Sequence, residues 1–117
     1  MSSLNELCEL VRHFRAAETG SVWHTDQTHQ SLAKYTIEEA YELADAIETG
    51  GLEHIPEEIG DLLFHVLLHC DIGEKQRQFD IDLVISKLRE KIKSRHPKVF
   101  DLNSPLNETK ENWQELK

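Results

Sequence analysis

KYTIEEAYELADAIETGGLEHIPEEIGDLLFHVLLHCDIGEK, residues 34–75, carries eleven acidic side chains and no Lys or Arg between its terminal lysines. Apolar residues recur at three- and four-residue spacing on both sides of Gly50-Gly51, so the stretch reads as two helices joined by a short turn. The first is expected to run from about Ser31 to Glu48, with a possible fresh start at Thr36, and the second from Pro56 to about Glu74. A short connection favours antiparallel neighbours.

On a helix, residues three and four apart share a face. Glu39 and Glu42 therefore point one way on the first helix, and Glu58 and Asp61 one way on the second. Leu43, Ala44 and Ile47 accompany the first pair, and Ile59, Leu62, Leu63, Val66 and Leu67 flank the second. A carboxylate beside an apolar core loses hydration and must recover it from a cation, from hydrogen bonds or by taking up a proton. Four oxygen ligands without a basic neighbour suit a hard cation, Mg²⁺ or Mn²⁺ rather than zinc. The alternative is two solvated acidic faces, with Glu39 closing a capping box from Thr36. His65 and His69 follow Asp61 at four-residue intervals, where packing is the ordinary role of a histidine beside an apolar stripe.

Outward from this pair, Leu4, Leu7, Cys8, Val11 and Phe14 mark a first helix over about Leu4 to Ala17, its apolar face toward the core. Gly20 ends it, and Ser21 to His29 reads as a loop. Trp23 in that loop either closes one end of the bundle or stacks on a base. Asp80 is a good N-cap for a fourth helix whose stripe, Ile81, Val84, Ile85, Leu88 and Ile92, stops near Arg95 before Pro97. Lys87, Lys91 and Arg95 form a row beside it, either a solvated face or a contact for phosphates. Residues 100–107 read as a connector, and Glu108 to Leu116 as a short last helix.

The fold class expected is all-α: four main helices plus a short C-terminal one, in a single domain over 1–117 with its core at about 4–100. Many apolar residues on so few helices give a motive for completing the bundle by dimerisation. A net charge of −9 argues against a nucleic-acid polymer or a membrane surface as partner. From Lys75 to Lys98, however, eight bases face three acids. An acidic stretch followed by a basic one suits a ligand carrying both metal and phosphate, or two helices that attract each other. Cys8 and Cys70 lack metal-binding spacing, which points to a reducing, cytoplasmic setting. The run from Leu62 to Leu68 is too short to span a bilayer.

Taken together, Trp23-x-x-x-Gln27-Thr28, Tyr35 to Glu42, Asp45-Ala46-Ile47, Glu57 to Phe64, Phe79-Asp80 and Arg95-His96-Pro97-x-Val99-Phe100 resemble the MazG-type all-α nucleoside triphosphate pyrophosphohydrolases. The likeness covers most of the chain and is closest to the N-terminal type of MazG domain. It implies metal ligation by Glu39, Glu42, Glu58 and Asp61, with Glu38 available to orient or deprotonate water. It implies that Lys91 and Arg95 sit near the triphosphate and that Trp23 falls in a segment approaching the nucleotide. The implied reaction is Mg²⁺-dependent hydrolysis of a nucleoside or deoxynucleoside triphosphate to the monophosphate and pyrophosphate, by a homodimer or higher homo-oligomer. The rival expectation is a catalytically silent dimerisation or nucleotide-sensing module.

Overall fold

The computed structural model of the chain describes residues 3–100. Among them the elements are α1 (Ser3–Arg15), α2 (Val22–Thr25), α3 (His29–Glu48), α4 (Ile55–Lys75), α5 (Ile81–Arg95) and α6 (Pro97–Phe100). The all-α expectation with four main helices holds; the expected connector after Phe100 and the last helix lie outside the described residues.

Two elements differ from expectation. The stretch read as a loop contains the single-turn helix α2, whose Thr25 hydroxyl donates back to the Ser21 carbonyl. The capping box forms between Thr28 and Ser31 rather than from Thr36, so α3 begins at His29 as one continuous helix. Thr36 sits mid-helix, where its hydroxyl donates to the Leu32 carbonyl. α3 stops as expected: Gly50 takes φ 73° just past the Thr49 cap, a conformation that costs a glycine nothing.

The chain forms two compact units, Met1–Ile81 and Asp82–Lys117. In the first, α4 packs against both α3 and α1, and α1 packs against α2. Cys8 and Val11 of α1, Leu32 of α3, and Leu67, Leu68 and Ile72 of α4 form the core, with Leu4, Leu7, Tyr35, Phe64 and Ile81 against it. Each fully buried leucine is worth about 1.5–3 kcal/mol. The second unit holds the rest of α5, on which no residue is buried; Leu88 and Ile92 of the expected stripe are exposed.

The α3–α4 seam is antiparallel, with His69 opposite His29 and Thr36, and with Asp61 opposite Glu39. Because the Thr36 proton goes to Leu32, its oxygen accepts from Nε2–H of His69 at 2.9 Å. Nδ1 of a neutral His69 then accepts from His29 Nδ1–H, also at 2.9 Å. This chain of bonds requires a neutral His69. Burial, and then the nearby His29 and His65, hold its pKa below the ordinary 6.5. Between the lowered folded value and 6.5 the unfolded chain binds more protons, so stability falls as pH drops through that window. Melting temperatures should be level from pH 8 to 7 and decline toward pH 5.5, and His69→Gln should make the decline shallower, leaving the part contributed by His24, whose pKa is also lowered by burial. Parallel pH profiles for the two proteins would remove His69 from that role.

Candidate metal centre

α3 and α4 supply the acidic side chains. Glu39 and Glu42 lie one turn apart on α3, and Ala46, buried a further turn along, presents only a methyl group. Pro56 stands in the first turn of α4, where its missing N–H costs nothing, and Glu58 follows in the same turn. Asp61 lies one turn later. One carboxylate oxygen each from Glu39, Glu58 and Asp61 falls within 4.8 Å of the other two. Among the described residues this is the group of His, Cys, Asp or Glu side chains placed to hold a metal ion.

Electrostatics separate Glu58 from two other acids of the 34–75 stretch, Asp71 and Glu74. Asp71 is met by Arg15 at 2.6 Å and Lys75 at 3.0 Å, and Glu74 by Arg12 at 3.5 Å. Glu58 is met by carboxylates: loss of hydration first, then Asp61, Glu42, Glu39 and Glu57, push its pKa above the ordinary 4.5. Crowded carboxylates of this kind are relieved by a proton or a cation. The donor set fits Mg²⁺ or Mn²⁺, which take oxygen ligands at about 2.0–2.1 Å for Mg²⁺ and keep waters in their remaining positions.

Three of the four expected ligands are thus brought together. Glu42 is exposed and outside the three-oxygen group, though close enough to act on Glu58. Glu38 is exposed, on the flank of α3 beside Glu39. Trp23, 47 % exposed, stands edge-on to Tyr35 with ring centroids 5.3 Å apart. Tyr35 precedes Glu39 by one helical turn, about 6 Å along the axis. Lys91 and Arg95 lie one turn apart on α5, in the second unit.

A buried cluster went unread in the sequence. Arg15 and Asp71, 5 % exposed each, pair beneath the segment that carries Trp23. The only local signal was Lys75, four residues after Asp71 on the same helix.

Residues 27–100 match the family described as the MazG nucleotide pyrophosphohydrolase domain. The chain is 44 % identical over 92 % of its length to the Bacillus subtilis protein YabN, of which the match spans 22 %. It is 40 % identical over 96 % of its length to a Thermotoga maritima nucleoside triphosphate pyrophosphohydrolase/pyrophosphatase, of which it spans 43 %. The chain thus spans less than half the length of these curated relatives. A crystal structure of a MazG-related protein from Thermotoga maritima superposes with a TM-score of 0.75 at 27 % identity, covering 96 % of both chains. With the matched region containing the acidic residues of α3 and α4, and the fold agreeing over nearly the whole length, the chain belongs to the MazG nucleotide pyrophosphohydrolase domain family.

Proposed function

We propose that the chain hydrolyses a nucleoside or deoxynucleoside triphosphate to the monophosphate and pyrophosphate, with Mg²⁺ as cofactor and Mn²⁺ as a substitute. The observation that carries this reading is the meeting of Glu39, Glu58 and Asp61 within 4.8 Å across two helices, in a member of this family. The family match spans both compact units, which supports reading them as one MazG-like domain.

Glu39, Glu58 and Asp61 would hold the ion, and Glu42 would join them by a change of side-chain rotamer. When bound, the ion supplies charge neutralisation at the phosphate oxygens and a more acidic water. Glu38 is the general base: its exposed carboxylate orients the attacking water and takes its proton. Lys91 and Arg95 bind the triphosphate, an assignment resting on the family resemblance, and Trp23 contacts the nucleoside. Without an ion, the acidic cluster would repel a polyanionic substrate. Glu38→Gln should lower kcat by about 10²–10⁴-fold, the contribution of a general base, with Mg²⁺ affinity nearly unchanged. Calorimetric Mg²⁺ titration beside turnover checks this; lost affinity with retained turnover at saturating Mg²⁺ would make Glu38 a ligand.

A homodimer is part of the proposal. Ile37 and Tyr41 on α3, and Ile59, Leu63 and Val66 on α4, share faces and are exposed in the single chain. Sedimentation at micromolar concentration should show a dimer or larger; monomer alone would oppose it. Among the described residues no helix is long and apolar enough to cross a membrane. We assign the chain to the cytoplasm on its two free, buried cysteines.

A further inference from the structure

The segment bearing Trp23 has few apolar anchors: Val22 is 79 % exposed and Trp23 47 %. The His24 ring packs on Phe14 of α1 at 4.4 Å and lies 5.9 Å from Phe64 of α4; the rest of the hold is polar. The Arg15 guanidinium, at the end of α1, donates through Nε to the His24 carbonyl at 3.0 Å. Nη2 reaches the carbonyls of Thr25 at 3.3 Å and Gln27 at 3.2 Å. Nη1 meets Asp71 of α4 at 2.6 Å, and Lys75 binds both Asp71 and the Arg15 carbonyl. Gln27 adds a bond from its side-chain amide to the Trp23 carbonyl at 2.9 Å, and its amide oxygen accepts from Ser31.

We propose that Arg15 is a positioning residue for nucleotide binding: from its buried pair with Asp71 it clamps the His24, Thr25 and Gln27 carbonyls and so fixes Trp23 against Tyr35. The inference rests on the reading that Trp23 contacts the nucleoside. A planar fork with five donors meets three carbonyls and a carboxylate together, whereas a lysine keeps the charge and the Asp71 pair but cannot span all four. An ion pair alone would need only the charge. The carbonyl contacts tie α1 and α4 to the backbone of the substrate segment, beside the packing of the His24 ring on Phe14 and Phe64. Arg15 touches no reacting atom, so its removal weakens binding rather than chemistry.

The test compares Arg15→Lys with the parent protein, both in a Trp113→Phe background that leaves Trp23 the sole tryptophan. Five quantities are read: Mg²⁺ affinity by calorimetry, kcat and KM for pyrophosphate release, acrylamide quenching of Trp23, and Trp23 fluorescence on adding an α,β-methylene triphosphate with Mg²⁺. The expected result is KM, and Kd for the analogue, raised about tenfold, with kcat and Mg²⁺ affinity within about twofold, and stronger acrylamide quenching. Unchanged KM and quenching would overturn the proposal, as would equal losses in kcat and Mg²⁺ affinity, which mark a general structural role. Should Arg15→Lys not fold, Trp23→Ala, made at an exposed ring, carries the test: an unchanged KM there leaves Arg15 nothing to position. A parent protein that binds the analogue without releasing pyrophosphate defeats the catalytic reading while the affinity comparison still decides the role of Arg15. A parent protein that neither binds nor hydrolyses overturns both.

Discussion

Asp61→Asn and Glu39→Gln, made separately, are each expected to lower Mg²⁺-dependent turnover by about 10²–10³-fold, the usual cost of removing one group that stabilises developing charge. Each change keeps the shape of the side chain and removes its negative charge. The fold should survive both: Asp61 is exposed, Glu39 is half-buried, and neither belongs to the core. Removing either charge should also lighten the crowding that holds the Glu58 pKa up. The variants should therefore melt no lower than the parent in metal-free buffer, yet lose much of the rise in melting temperature that Mg²⁺ gives the parent. Near-normal turnover by folded variants at saturating Mg²⁺ would take both residues out of the mechanism.

The largest effect on stability is expected at Asp71. Its side chain is 4 % exposed and its partner Arg15 5 %, so Asp71→Ala leaves a buried guanidinium with three carbonyls and no counter-charge. Breaking a buried pair by deleting one partner costs about 3–5 kcal/mol. Domains of this size hold about 5–15 kcal/mol in all, so the variant should lie close to unfolding at room temperature. The control is Glu74→Ala, which removes an ion pair to Arg12 whose two side chains are each 44 % exposed. Solvent and salt screen such a pair, and its loss should cost no more than about 1 kcal/mol. Urea titrations of the two variants give the comparison directly, and equal midpoints would deny Asp71 its structural role.

The helices and the acidic site were legible because both rest on local periodicity. The three-and-four spacing that marks α3 and α4 is the same spacing that puts Glu39 on one face and Glu58 with Asp61 on another, so the fold and the cluster came from one reading. What escaped is non-local. α2 has four residues, two of them large, apolar and exposed, and its carbonyls are bonded by an arginine nine and ten positions away. The Arg15–Asp71 pair spans 56 positions, and in the sequence Asp71 was one more acid of a run that served metal binding. The cap of α3 was misplaced because Ser31 fills the place where Glu or Gln usually signals a capping box. On α5 the apolar stripe was correctly periodic, yet periodicity cannot say what covers a face, and in the single chain its members lie exposed or half-exposed.

The central claim is that the α3–α4 carboxylates serve hydrolysis between the α and β phosphates. The most direct measurement is the product pair formed from a panel of canonical and damaged ribo- and deoxyribonucleoside triphosphates, with Mg²⁺ and again with EDTA. The account predicts nucleoside monophosphate and pyrophosphate in equal amounts from at least one substrate, abolished by EDTA. Diphosphate with orthophosphate, or no product from folded protein that still binds Mg²⁺, would contradict it; the second result would point to a silent dimerisation or nucleotide-sensing module.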